Sequence, residues 1–198
     1  MGSDFLLVRH AHTAQTGPDA KQWSLSARGW AVATQLAAWA GWREVAALVT
    51  SDEAKAIETG AAVGAAHPHL RVVPPVAGLA EVDRRGVYVD AYEGAVAAFF
   101  AHPAVSPHGW EPACDALCRF TAAVESVLAA HPHETVAVVA HGLVFALYQS
   151  TLIGGPALSL ECWRSIPFAA VARVGREPDG SRVLRHPFVQ PTTQHNST

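Results

Sequence analysis

Two histidines in this chain stand directly behind short apolar runs. Phe5-Leu6-Leu7-Val8 leads into Arg9-His10-Ala11-His12, and "TVAVVA", Thr135 to Ala140, leads into His141-Gly142. A neutral imidazole is a competent nucleophile near neutral pH, because its unperturbed pKa is about 6.5. A second imidazole can donate a hydrogen bond to an oxyanion. The Arg9 guanidinium offers a planar fork that matches phosphate oxygens. A carboxyl group such as Glu81 can protonate a leaving oxygen, and a facing phosphate dianion raises its pKa so that it holds that proton. Together these groups make a phosphoryl-transfer site that needs no metal. Asp83, two residues beyond Glu81, competes with it for the acid role.

His10 and His12 also form an H-x-H pair. Alternate residues of a strand face one side, so both imidazoles could bind one metal. Metal hydrolases of that barrel type need further ligands from other strands, and Arg9 beside His10 repels a cation. No metal and no cofactor are therefore expected, and His12 is read as serving packing or hydrogen bonding. Cys114 and Cys118 lie one helical turn apart without further ligands at suitable spacing. With Cys162 they make three cysteines, a count that argues against a disulfide framework and fits a reducing cytoplasm.

The elements that must position these residues alternate between strand and helix. Phe5 to Val8 reads as a strand buried on both faces. Ser26 caps a helix from about Ala27 to Trp39, ended by Gly41. Val45 to Thr50 is a second strand, and Ser51 or Asp52 caps a helix through about Ala66. Leu70 to Val73 is a third strand. The pattern breaks down from Val76 to about Asp90, then resumes with helices over about 91–101 and 113–130. Thr135 to Ala140 is another buried strand, followed by a helix in "HGLVFALYQSTL". Phe168 to Val174 and Arg182 to Leu184 form a terminal strand pair around the turn signal Pro178-Asp179-Gly180.

Such alternation predicts a three-layer α/β/α sandwich with a mostly parallel central sheet. In these sheets ligands bind beyond the carboxyl ends of the strands. Arg9-His10, Ser51-Asp52, Glu81 and His141-Gly142 all leave from or follow such ends, so they can converge on one edge. The chain has 198 residues, 50% of them hydrophobic and 16% charged, with a formal net charge of −3. That length suits one domain, expected over 1–188 with a variable substrate-covering region at about 76–112, and a disordered tail over 189–198. No basic run marks a nucleic-acid binder, and no apolar segment reaches the roughly 20 residues that cross a membrane. No secretory leader is evident. These features place the protein in the cytoplasm, and they leave its oligomeric state open.

Taken in order, the motifs resemble those of the histidine phosphatase superfamily, which includes cofactor-dependent phosphoglycerate mutases and many small phosphatases. "LLVRHAHT" resembles the RHG-type signature, and "SLSARG" the PLTxxG segment. "SDEAKAIETG" is similar to the S-x-x-x-R-A-x-E-T helix start, and "LAEVD" to the L-x-E segment that carries the acid. "GWE", Gly109 to Glu111, looks like the GES segment, and "VVAHG" matches the second histidine motif. The resemblance covers most of the chain and implies a phosphoglycerate mutase-like fold. It implies that His10 becomes phosphohistidine, that Arg9 clamps the phosphate, and that Glu81 acts first as acid and then as base. It further implies that His141 binds phosphoryl oxygens, with the Gly142 N–H as an added donor at a helix start. Thr16 lies where family members often place a polar phosphate contact.

One position departs from the pattern. The second phosphate-binding arginine falls at Lys55, which keeps the charge but loses the bidentate fork. The stretch "DRRGVYVD" also departs from the tighter segment common in the family. The expected function is a metal-independent phosphomonoesterase acting on a small phosphorylated metabolite. Two alternatives stand beside it: a phosphoglycerate mutase-type phosphotransferase, and a catalytically weak phosphate-binding module. Mutases need extra basic residues after the acid motif, and here that stretch offers Arg84, Arg85 and Arg119. Adjacent arginines in a loop are by default solvated. Tyr88, Tyr92 and Trp110 serve either a substrate pocket or packing.

Overall fold

β1 (Phe5–Arg9) lies inside a six-stranded sheet of order β3-β2-β4-β1-β5-β6, the other strands being β2 (Ala47–Thr50), β3 (Arg71–Val72), β4 (Val136–Ala140), β5 (Val171–Arg176) and β6 (Arg182–Val189). The computed structural model describes residues 4–87 and 89–191. β3, β2, β4 and β1 run parallel, β5 pairs antiparallel with β1, and β6 antiparallel with β5. The sheet is thus mostly parallel, with helices on both faces.

The continuous apolar runs follow from that arrangement, because central strands have no solvent face. In β1, Phe5 and Leu7 enter one core with Val136, Val138, Phe120 and Phe145, while Leu6 and Val8 enter the other with Leu48, Val139, Leu36 and Trp42. This is the period-two alternation of a strand applied to two buried faces. The second core is closed by α1 (Ala27–Ala37) and α2 (Ala54–Ala66). The first is closed by α3 (Tyr92–Ala101), α4 (Ala113–Ala130), α5 (Gly142–Gln149) and α6 (Leu160–Arg164).

α1 starts as its sequence indicates, with the Ser26 hydroxyl accepting the Gly29 N–H at 3.0 Å. Gly29 itself must lack a side chain, since a Cβ there would stand 1.9 Å from the His12 carbonyl oxygen. The loop after β1 is therefore pressed against the start of α1.

Several boundaries differ from the sequence reading. α2 begins at Ala54 behind Glu53 rather than at a Ser51 or Asp52 cap; the Ser51 hydroxyl pairs with His141 and accepts the Glu53 N–H at 3.3 Å, ahead of the helix. β3 is only Arg71–Val72, and α6 and the short 3-10 turn Ala77–Leu79 interrupt segments that carry no clear periodicity. β6 continues to Val189, and the Gln190 side-chain amide donates to the Phe168 carbonyl at 2.9 Å, so the expected tail does not begin at 189. Residues 192–198 of that tail, and Tyr88, lie outside the described residues. No described helix is long and apolar enough to cross a membrane.

Candidate active site

β1 and β4 end side by side, and their hydrogen bonding continues one residue past the strand: the His10 N–H donates to Ala140 O at 3.0 Å. That register brings the His10 and His141 rings to 5.1 Å between centroids. His10 lines a cavity of about 660 Å³. Its Nδ1 lies 2.7 Å from the Ala11 carbonyl oxygen. A carbonyl can only accept, so Nδ1 carries the proton and Nε2 keeps its lone pair. Burial, followed by the nearby His141, Arg9 and Lys55, pushes the His10 pKa well below its usual value. The ring is therefore held neutral, with the Nε2 lone pair available.

His141 is fully buried behind His10. Its Nε2 meets the Ser51 hydroxyl at 2.6 Å, and its Nδ1 has no partner among the described residues. Burial, then the charges of Lys55, Arg9, Arg84 and Arg119, holds this ring neutral as well. In the tautomer in which Ser51 donates to Nε2, Nδ1 carries the proton and is a free donor.

Arg9 lies over the Phe168 ring at 4.2 Å and donates through Nη1 to the Ile166 carbonyl, while its buried Nε has no partner among the described residues. Gly142 opens α5 directly against this guanidinium. A Cβ at position 142 would approach Arg9 Cζ to 3.0 Å and Trp163 Nε1 to 2.9 Å. The glycine is what lets Arg9 sit there.

Glu81 reaches the same cavity from the loop after the Ala77–Leu79 turn. Its Oε1 accepts the N–H groups of Val82 and Val144, each at 3.1 Å, and its Oε2 accepts that of Leu143 at 3.0 Å. The bonds from Leu143 and Val144, in the first turn of α5, orient the carboxyl group. Burial nevertheless raises its pKa above the usual carboxylate value, with Glu53 adding to the rise and the Leu143, Val82 and Arg84 contacts opposing it. Oε1 has two acceptor bonds and Oε2 one, so the open lone pair for a proton is on Oε2. Asp83 is exposed, accepts the Arg85 N–H and does not line this cavity.

Lys55 is buried on α2 and lines the cavity. Its ammonium donates to the Ala20 carbonyl at 2.7 Å and forms a very short ion pair with Glu53. Thr16 is exposed and stands outside the cavity wall, where Thr13 and Gln15 are found instead. His12 pairs with the Ser26 hydroxyl at 2.9 Å and meets Phe168 edge-on. Among the described residues, no group of three or more His, Cys, Asp or Glu side chains could hold a metal ion.

The matching motifs sit in one order on one sheet edge, and a family model covers them together. It is that of the histidine phosphatase superfamily (branch 1), over residues 5–188. The chain belongs to this superfamily. No individual curated protein matches it. Among solved structures, mycobacterial glucosyl-3-phosphoglycerate phosphatase superposes with a TM-score of 0.73 at 20% identity, covering 96% of this chain and 99% of the other. YhfR from Bacillus stearothermophilus gives 0.75 at 23% identity, covering 92% and 95%. A putative phosphohistidine phosphatase, SixA from Agrobacterium tumefaciens, gives 0.61 at 17%, covering 96% and 99%. At these identities the likeness is one of fold.

Other groups complete this histidine phosphatase site beyond the residues singled out in sequence. Ser51 lies within a recognised motif but gives no local sign that it would bond His141. Glu53 accepts the Glu81 N–H at 2.7 Å and approaches His141 Nε2 to 3.7 Å. Arg119 on α4 donates to the carbonyls of Gly78, Ala80 and Glu81 and makes a two-bond pair with Glu111. Trp110 is fully buried against Phe99 and Tyr92, which makes it a packing residue. Tyr92 does line the cavity, and burial pushes its hydroxyl up to about 12.

Proposed function

We propose that this protein hydrolyses phosphomonoesters through a phosphohistidine on His10, without a metal. The observation that carries the reading is the His10 tautomer: Nδ1–H is held by Ala11 O, and Nε2 is left free beside Arg9, Lys55 and Glu81. His10 Nε2 attacks phosphorus in line as the bond to the leaving oxygen breaks, and Glu81 Oε2–H protonates that oxygen. Arg9, Lys55 and His141 Nδ1–H neutralise the equatorial oxygens. Glu81, now ionised, takes a proton from water. The water oxygen attacks phosphorus, the P–N bond breaks, and inorganic phosphate leaves with Glu81 protonated again.

Hydrolysis is favoured over a mutase by what the extra arginines do. Arg119 is engaged as a loop clamp, Arg85 is exposed, and only Arg84 faces the cavity, beside Trp23 and Tyr92. The names of two structural neighbours, a glucosyl-3-phosphoglycerate phosphatase and a putative phosphohistidine phosphatase, support the same choice. The cavity extends past the phosphate cradle along Trp23, Val32, Tyr92, Trp163 and Phe168, which suits a small organic phosphate as substrate. Its free cysteines, Cys114, Cys118 and Cys162, suit the cytoplasm.

The test is phosphate release from a panel of phosphorylated metabolites, with trapping of an acid-labile phosphoenzyme. His10→Ala should abolish both while folding normally, and turnover near that of the wild type would overturn the mechanism. Glu81→Gln should lose far more activity on an alkyl phosphate than Asp83→Asn does, and the reverse order would transfer the acid role to Asp83.

A further inference from the structure

A buried carboxylate backs the phosphate cradle through its contacts with Lys55 and Glu81, and the steps above do not use it. Glu53 is 2% exposed and Lys55 4%. Residues two apart on a helix do not share a face. Glu53 precedes α2 with extended backbone, φ −85° and ψ 138°, and so escapes that rule and turns its side chain onto Lys55. One carboxylate oxygen accepts the Lys55 ammonium. The other accepts the Glu81 N–H at 2.7 Å and lies 3.7 Å from His141 Nε2. Glu53 therefore touches the cradle's cation, the acid-bearing residue and the second histidine at once.

The donor inventory shows what this does. An ammonium has three N–H groups. Glu53 takes one and Ala20 O takes a second, leaving one for a phosphoryl oxygen. The charge inventory agrees. Arg9, Lys55 and Arg84 line the cavity, and the Glu53 carboxylate on Lys55 offsets one of these charges. Without it, the positive charge facing a phosphate dianion would rise by one unit.

Resting on the phosphatase reading above, we propose that Glu53 is an internal anion that competes with phosphate for Lys55, and so limits how tightly the site retains phosphate. It is a positioning residue, acting through Lys55. A lysine here is matched to its neighbour: one tethered N–H meets the phosphoryl group, where a free cation would hold the product more firmly.

The experiment measures inhibition by inorganic phosphate and by vanadate, together with kcat and KM for p-nitrophenyl phosphate. In Glu53→Gln the inhibition constant for phosphate should fall at least about threefold, because a repelling unit charge is removed from a buried site, and KM should fall with it. Loss of fold cannot produce tighter binding, so this gain separates the proposal from a merely structural role. Glu53→Asp, which keeps the charge, should stay close to the wild type. Lys55→Arg tests the idea independently: a guanidinium has five N–H groups and keeps donors to spare after the same two partners, so phosphate inhibition should again strengthen. Unchanged or weaker phosphate binding in Glu53→Gln, or in Lys55→Arg should the first variant fail to fold, overturns the proposal. If the wild type shows no His10-dependent turnover and no phosphate inhibition, the phosphatase reading itself fails, a different result from either.

Discussion

Replacing Arg119 with methionine tests whether the proposed general acid, Glu81, is held from outside the pocket. The guanidinium of α4 bonds Glu111 at 2.9 and 2.7 Å and the carbonyls of Gly78, Ala80 and Glu81 at 3.0, 3.0 and 3.2 Å. Glu111 in turn accepts the Asp83 N–H at 3.1 Å, so one ion pair buckles residues 78–83 onto α4. Methionine preserves the packing of the stem and removes every one of these bonds. Breaking a buried ion pair costs about 3–5 kcal/mol. The Arg119 side chain is 28% exposed and Glu111 15%, so screening and rehydration bring the expectation to the low end, about 3 kcal/mol. For a domain of this size that lowers the melting temperature by about 6–12 °C.

The same change frees the backbone of Glu81. General acid catalysis contributes about 10²–10⁴-fold, and a misplaced acid should lose about tenfold of that on an alkyl phosphate. On p-nitrophenyl phosphate, whose leaving group departs without a proton, the loss should stay within about threefold. Thermal unfolding and kcat/KM on the two substrates check this. A destabilisation under about 1 kcal/mol, or equal losses on both substrates, would refute the argument that Arg119 places the acid.

Two further predictions follow from the site. The proposed mechanism needs His10 neutral and Glu81 protonated. The His10 pKa is lowered, so the acid limb of the kcat/KM profile should lie below the usual histidine range. The Glu81 pKa is raised, so activity should fall on the alkaline side only as pH rises past a value above the usual carboxylate range. A profile that keeps rising through neutral pH would contradict that pairing. Gly142→Ala should push Arg9 and Trp163 aside by a few tenths of an ångström. That should cost about tenfold in kcat/KM while stability changes by less than about 1 kcal/mol, and full activity would show that Arg9 does not need that seat.

Much of the fold was legible because its signals are local. A continuous apolar run of four or five residues between helical segments fits a doubly buried strand, and β1 and β4 are such strands. α4 occupies Ala113–Ala130 because its apolar spacing and flanking prolines bound it on both sides. The direction of the parallel strands then carries Arg9, His10 and His141 to one edge. Thr16 shows the limit of this reasoning: loop spacing alone does not say which residues turn inward, and here Thr13 and Gln15 face the cavity instead.

By itself, the sequence determined that two histidines follow buried strands, for which adjacency and periodicity are enough. The acid assigned to the Glu81 segment and the lysine in an arginine's place came from the resemblance of its motifs to those of the family. Only the tertiary structure decided that Ser51 faces His141, 90 residues away, that Arg119 clamps the carbonyls before Glu81, and that Glu53 occupies Lys55. Those contacts depend on where separate elements come to rest, and on one residue, Glu53, keeping extended backbone where a helix is about to begin.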